Sequence, residues 1–198
     1  MGTYTEKLQR RAFEAIVIGA SAGGIKALLR LLPELPENFS LAVIIVLHMP
    51  DIFESKLAEI FRQHVKIPVK QAQDKESIKA GHLYFAPPGY HLSIEVGRTF
   101  SLSCEEPVHY SRPAIDLLMT SASDVYGDRL VGILLTGASQ DGAEGLASIK
   151  EVGGFTVVQD PREAEIAIMP QAAINLQQPD LILSLDNMCK LLLDVERS

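Results

Sequence analysis

Two cysteines in 198 residues, Cys104 and Cys189, far apart and without a Cys-x-x-Cys pair, do not make a disulfide framework; both are expected as free thiols in a reducing compartment. Positive charge is scarce as well. Eighteen basic residues against 25 acidic ones leave a formal charge of −7, without the electrostatic footprint of a nucleic-acid-binding module. No stretch of about 18 apolar residues exists to span a membrane, and the polar segment Met1 to Arg11 has no signal-peptide core. Those absences point to a soluble cytoplasmic protein. Repeats, low-complexity segments and linkers are also missing, so residues 1–198 are expected to form a single domain. What is present is core: 47% of the residues are hydrophobic.

Apolar runs of strand length, Ala15–Ile18, Leu41–Leu47, Leu83–Ala86, Leu130–Leu135, Phe155–Val158 and Leu181–Leu183, alternate with helical patterns. The helices are expected at Gly24–Leu32, Phe53–His64, Ala114–Tyr126 with Pro113 in its first turn, Ala143–Val152 and Met188–Val195. Alternation of this kind predicts a doubly wound, three-layer α/β/α fold with a mostly parallel sheet. One region departs from it. His91–Val96 and Thr99–Cys104 flank Gly97-Arg98, which predicts an antiparallel hairpin with a two-residue turn at the sheet edge or over its rim.

In such sheets ligands collect at the carboxyl ends of the strands, so the polar residues that end the apolar runs matter most. The first run ends in Gly19-Ala20-Ser21-Ala22-Gly23 and passes straight into a helical pattern. Gly-x-Ser-x-Gly at a strand-to-helix turn is the pattern of a nucleophile elbow; a glycine-rich turn of this kind also holds phosphate on its backbone amides, or simply turns the chain. The second run ends in His48-Met49-Pro50, and Gly137-Ala138-Ser139-Gln140-Asp141-Gly142 follows the fourth. A serine, a histidine and an aspartate therefore stand at three strand ends. A serine hydroxyl needs a base to take its proton, and an imidazole serves best when a carboxylate fixes its tautomer. Taken singly, His48 also suits a structural histidine and Asp141 a cap on the helix that follows it. The order Ser, His, Asp is not that of the α/β-hydrolases. His64 is placed to cap its own helix, and His82, His91 and His109 lack metal-ligand spacing, so no metal is assigned.

Six ordered segments resemble the catalytic domain of the chemotaxis protein-glutamate methylesterase family. They are Ile18-Gly19-Ala20-Ser21-Ala22-Gly23-Gly24, His48-Met49-Pro50, Gly81–Pro87, Ser111-Arg112-Pro113-Ala114-Ile115-Asp116, Leu135–Gly145 and Met169-Pro170-x-Ala172-Ala173-Ile174. The resemblance implies a Ser21-His48-Asp141 triad, an oxyanion site on the backbone N–H groups of Ala22 and Ala138, substrate contacts at Arg112 and Met169, and no metal or organic cofactor. It implies hydrolysis of glutamate γ-methyl esters on the cytoplasmic helices of chemoreceptors, and deamidation of receptor glutamines. An esterase for another carboxyl ester, a non-catalytic scaffold that binds receptor helices, and a phosphate-binding module are the alternatives. Lys26, Arg112 and Arg162 are candidate rim contacts or merely solvated cations.

The chain departs from the family pattern at Ala22, where relatives carry threonine, and at Ala138 and Ser139, where they carry methionine and glycine. Ser111 replaces a histidine or another bulky residue. Relatives usually have an N-terminal phospho-receiver domain, whereas about fourteen residues precede the first strand here. Activity is therefore expected to be constitutive or controlled by a separate regulatory protein.

Overall fold

The computed structural model describes Leu8, residues 11–49 and residues 56–196. Seven parallel strands form one sheet in the order β3-β4-β2-β1-β7-β8-β9, and β5 and β6 form a separate antiparallel pair. The strands are β1 (Ala15–Ala20), β2 (Ala42–Leu47), β3 (Val69–Gln71), β4 (Leu83–Phe85), β5 (His91–Glu95), β6 (Thr99–Ser103), β7 (Leu130–Leu134), β8 (Phe155–Gln159) and β9 (Leu181–Leu183). The helices are α1 (Gly24–Leu31), α2 (Leu57–Arg62), α3 (Ile115–Tyr126), α4 (Ala143–Glu151), α5 (Ile168–Leu176) and α6 (Leu185–Glu196).

The central strands β1, β2, β7 and β8 are buried along their whole length, which is why they read as unbroken apolar runs rather than alternating ones. Their side chains divide between two cores. Ile16, Ile18, Val43, Ile45, Val131 and Ile133 pack with residues of α1, α2 and α6 on one face. Val17, Ile44, Val46, Leu134 and Val158 pack with α3, α4, α5 and the β5–β6 hairpin on the other. The expected three-layer, mostly parallel architecture is therefore present. After β2 the chain builds the sheet to one side of β1, and from β7 onward it builds to the other. Crevices open at such reversals, at the carboxyl ends of β1, β2 and β7.

Several local expectations need correction. The hairpin loop holds three residues, because Glu95 pairs with Thr99, and Arg98 takes a left-handed conformation (φ 57°) that lets the third residue close the turn. The hairpin is not part of the main sheet; Leu92, Ile94 and Phe100 join the core beside α3. Pro113 lies before the helix cap rather than in the first turn: α3 starts at Ile115 with Ala114 as its cap, whose N–H is held by His91 Nδ1 at 3.2 Å. The helix expected from Phe53 is described from Leu57 to Arg62; residues 53–55 and Pro50 lie outside the described residues. As expected, His64 caps that helix, its Nδ1 lying 2.9 Å from Ile60 O. Two elements had not been anticipated, the three-residue strand β3 and helix α5.

Helices α3 and α4 touch closely enough to exclude a methyl group. A Cβ on Gly145 would stand 2.6 Å from Met119 Cβ and 3.0 Å from the Asp116 backbone. Gly145→Ala should therefore push the helices apart and cost roughly 1–3 kcal/mol in a urea-unfolding measurement. An unchanged midpoint would show that this contact gives way freely.

Candidate active site

The end of β1 is turned by glycine. Gly23 adopts φ 81° as the cap of α1, which lets the chain leave the sheet and enter a helix within three residues of Ala20. Ser21 sits in that turn with its N–H bound to Thr136 O at 3.0 Å, and Thr136 Oγ1 donates to Ala22 O at 2.9 Å. The Thr136 hydroxyl accepts from Ile166 N–H, and its backbone N–H is held by buried Gln159. Thr136 thus pins the serine turn to the end of β7. Among the described residues, neither the Ala22 nor the Ala138 backbone N–H has a hydrogen-bond partner, and both residues are exposed.

His48 follows β2, whose Leu47 pairs in register with Ala20, so it emerges beside Ser21; its N–H is bound to Ala20 O at 2.9 Å. The imidazole Nε2 lies 2.8 Å from Asp141 Oδ2, with the histidine side chain 10% exposed and the carboxylate fully buried. A carboxylate can only accept, so the ring carries its proton on Nε2 and presents a lone pair at Nδ1. Nδ1 is 3.3 Å from Ser111 Oγ. The Ser21 hydroxyl makes no hydrogen bond among the described residues. The fold therefore joins His48 to Asp141 directly and brings Ser21 to the adjoining strand end without closing the last link.

Asp141 does not cap the helix that follows it, contrary to the simpler sequence reading. Its Oδ2 and Oδ1 accept the first-turn amides of α3, Ile115 N–H at 2.7 Å and Asp116 N–H at 2.9 Å. Helix α4 is capped in return by Asp116, whose Oδ1 accepts from Gly142 N–H at 2.9 Å and Gly145 N–H at 2.7 Å. Each carboxylate satisfies orphan donors of the other's helix. The close approach that this requires depends on Gly19: a Cβ there would meet Ile115 Cγ2 at 2.4 Å.

The two acids titrate in opposite directions. Burial would raise Asp141, but the His48 hydrogen bond and the amides of Asp116 and Ile115 outweigh it and hold its pKa below the ordinary value. Burial raises Asp116 to about 6, assisted by the charge of Asp141 and opposed by its two amide donors. Its buried Oδ2 has no hydrogen-bond partner, and His109 Nε2 lies 3.5 Å away.

The other sequence candidates are more peripheral. Arg112 lines a cavity of about 130 Å³ together with His48 and Ser111, but its guanidinium is bound to Cys104 O and Glu105 O. Met169 is completely buried and packs under Gly137, whose missing Cβ would stand 2.6 Å from the methionine methyl. Lys26 pairs with Glu165, and Arg162 with Asp160. Buried His91 is structural, its two nitrogens facing Glu106 O and Ala114 N. Asp116 and Thr136 had been read only as parts of longer motifs, and Ser111 only as a rim position. No helix among the described residues is long and apolar enough to cross a membrane.

A family model described as CheB methylesterase matches residues 16–192. A Leptospira interrogans protein, provisionally named protein-glutamate methylesterase/protein-glutamine glutaminase, is 48% identical over 186 residues, covering 94% of this chain and 96% of the relative. A Clostridium acetobutylicum protein named protein-glutamate methylesterase/protein-glutamine glutaminase is 35% identical over 98% of this chain and 56% of its own length. The crystal structure of the Thermotoga maritima CheB methylesterase catalytic domain superposes with a TM-score of 0.88 at 30% identity, covering 92% of this chain and 98% of that one.

The titration of Asp116 has a measurable sign. A carboxyl whose folded value, about 6, exceeds its unfolded value stabilises the fold most at low pH and loses that contribution as pH rises through 6. Going from pH 7 to pH 5, wild type should gain about 1 kcal/mol more unfolding free energy than Asp116→Asn. Equal gains in urea titrations of the two proteins would place the Asp116 value elsewhere.

Proposed function

The chain belongs to the CheB methylesterase family, and from that premise we propose that it is a serine hydrolase that removes the methyl ester from glutamate γ-carboxyls of chemoreceptor helices and deamidates receptor glutamines. The observation that carries this reading is the 2.8 Å contact between His48 Nε2 and fully buried Asp141, which leaves Nδ1 as the nitrogen able to take a proton, with the serine turn at the adjoining strand end. In this proposal Ser21 is the nucleophile, His48 the general base and Asp141 the group that fixes its tautomer.

The Ser21 hydroxyl gives its proton to His48 Nδ1 as Oγ bonds to the γ-carbonyl carbon. The carbonyl π electrons move to oxygen, and the resulting oxyanion is held by the N–H groups of Ala22 and Ala138. Among the described residues those two amides have no partner to give up. Backbone donors do not depend on the side chain, so alanine at both positions keeps them. Collapse breaks the bond to the leaving group, which takes the Nδ1 proton and departs as methanol from an ester or ammonia from an amide. Water then attacks the acyl-serine, giving its proton to Nδ1 and hence to Ser21, and glutamate is released. Buried Met169 supports Gly137 from below in this scheme, and Arg112 shapes the cavity wall. The substrates belong to the cytoplasmic side of the membrane, a placement consistent with two free cysteines.

Methanol release from methylated receptor fragments should vanish in Ser21→Ala while the circular dichroism spectrum is unchanged. Asp141→Asn should lose several orders of magnitude in kcat, because an amide cannot hold the same tautomer. Wild-type turnover in Ser21→Ala would remove that residue from the chemistry.

A further inference from the structure

The base of the proposed triad has a second hydroxyl at the nitrogen that faces the reaction. Ser111 Oγ lies 3.3 Å from His48 Nδ1, and this is the one side-chain contact of Ser111 among the described residues. The serine is delivered by a tight turn. Val108 and Ser111 exchange both backbone hydrogen bonds, at 3.1 and 2.9 Å, and the two residues between them, His109 and Tyr110, both have positive φ, 47° and 62°. Left-handed pairs of this kind form the two-residue turns favoured in hairpins, but non-glycine residues occupy them under strain. Tyr110 points fully into solvent, so the strained turn is not serving to bury its ring. The turn places Ser111 against the imidazole and His109 Nε2 3.5 Å from Asp116 Oδ2.

A second nucleophile is not what this placement makes. Three amides that follow Ser111 are already committed: Ala114 N–H to His91, and Ile115 and Asp116 N–H to Asp141. The Arg112 guanidinium is held by two loop carbonyls. Among the described residues one amide after Ser111, that of Arg112, has no partner, whereas two, those of Ala22 and Ala138, stand in and opposite the turn that carries Ser21.

We propose that Ser111 is a positioning residue for His48, its hydroxyl holding Nδ1 in both protonation states of the base. A hydroxyl donates as readily as it accepts. In the free enzyme it donates to the Nδ1 lone pair, and with Asp141 on Nε2 this fixes the ring at both nitrogens; because Nδ1 has a single lone pair, the Ser111 hydroxyl turns its hydrogen away when Ser21 donates. Once Nδ1 has taken the Ser21 proton, the same oxygen accepts from Nδ1–H. Hydrogen bonds to a charged group are about twice as strong as neutral ones, so Ser111 favours the imidazolium that accompanies the tetrahedral intermediate. Asp141 does the same from the other side of the ring.

This inference rests on the triad reading above, and the tests separate the two. Under substrate saturation, Ser111→Ala should lower kcat for methanol release roughly five- to tenfold with KM within about twofold, and Ser111→Thr, which keeps the hydroxyl, should recover most of the loss. Thermal melts of both variants monitor folding. In nitrogen-15 NMR spectra, which need no turnover, the His48 Nε2–H signal should be sharp in wild type and Ser111→Thr but broadened by ring motion in Ser111→Ala. Alanine with wild-type or higher kcat, a loss confined to KM, or identical His48 signals in all three proteins would each overturn the proposal. Absence of methanol release from wild type would instead count against the triad reading, leaving the NMR comparison to decide the role of Ser111.

Discussion

The structure depends on an exchange of helix caps between two aspartates. Asp141, at the end of β7, reaches across to the first-turn amides of α3, while Asp116, in that first turn, reaches back to the amides that open α4. A cap normally serves the helix it precedes. Here the crossing locks the N-terminus of α3 against the loop 137–142, and Asp141 has one more acceptor direction available, which it gives to His48. Against the burial of Asp141, the His48 hydrogen bond and the two first-turn amides of α3 hold its pKa below the ordinary value, beside a second acid. Asp116 bears the complementary cost, with a pKa raised to about 6. Among the described residues neither Lys nor Arg pairs with Asp141, whose carboxylate is held by His48 and by backbone amides.

The architecture was largely legible because its physics is local. Fully buried parallel strands produce apolar runs, and their carboxyl ends expose the few polar residues that matter, so Ser21, His48 and Asp141 stood out before any contact was known. The missing elements lacked that signature. Strand β3 is only Val69-Lys70-Gln71, at the edge of the sheet, with one buried residue. Helix α5 carries Pro170, which suggests a break, yet the residue falls in the first turn where no intrahelical donor is lost.

The parts of the site that could not be read along the chain are long-range hydrogen bonds between residues of ordinary type. Nothing about Asp141 reveals that it caps a helix 26 residues upstream rather than its own, because the choice depends on Gly19 admitting Ile115 to the end of the sheet. Ser111 and His48 are 63 residues apart and meet only through a turn whose left-handed residues, His109 and Tyr110, are not the glycine or asparagine such turns advertise. Thr136 stood out only as part of a longer motif, and its hydroxyl ties the serine turn to the loop before α5. Sequence chemistry thus indicated which groups stand at the rim, while packing decided which nitrogen of His48 faces Asp141 and which faces Ser111.

Ser111 faces Nδ1 of His48 and Ser21 stands at the adjoining strand end, and the proposed covalent step belongs to Ser21 alone. The most direct measurement is acid quenching of the wild-type enzyme during turnover of a methylated receptor fragment, followed by peptide mapping of the acyl adduct by mass spectrometry. A glutamyl ester on Ser21 is the predicted result; the same ester on Ser111, or on another residue, would contradict it.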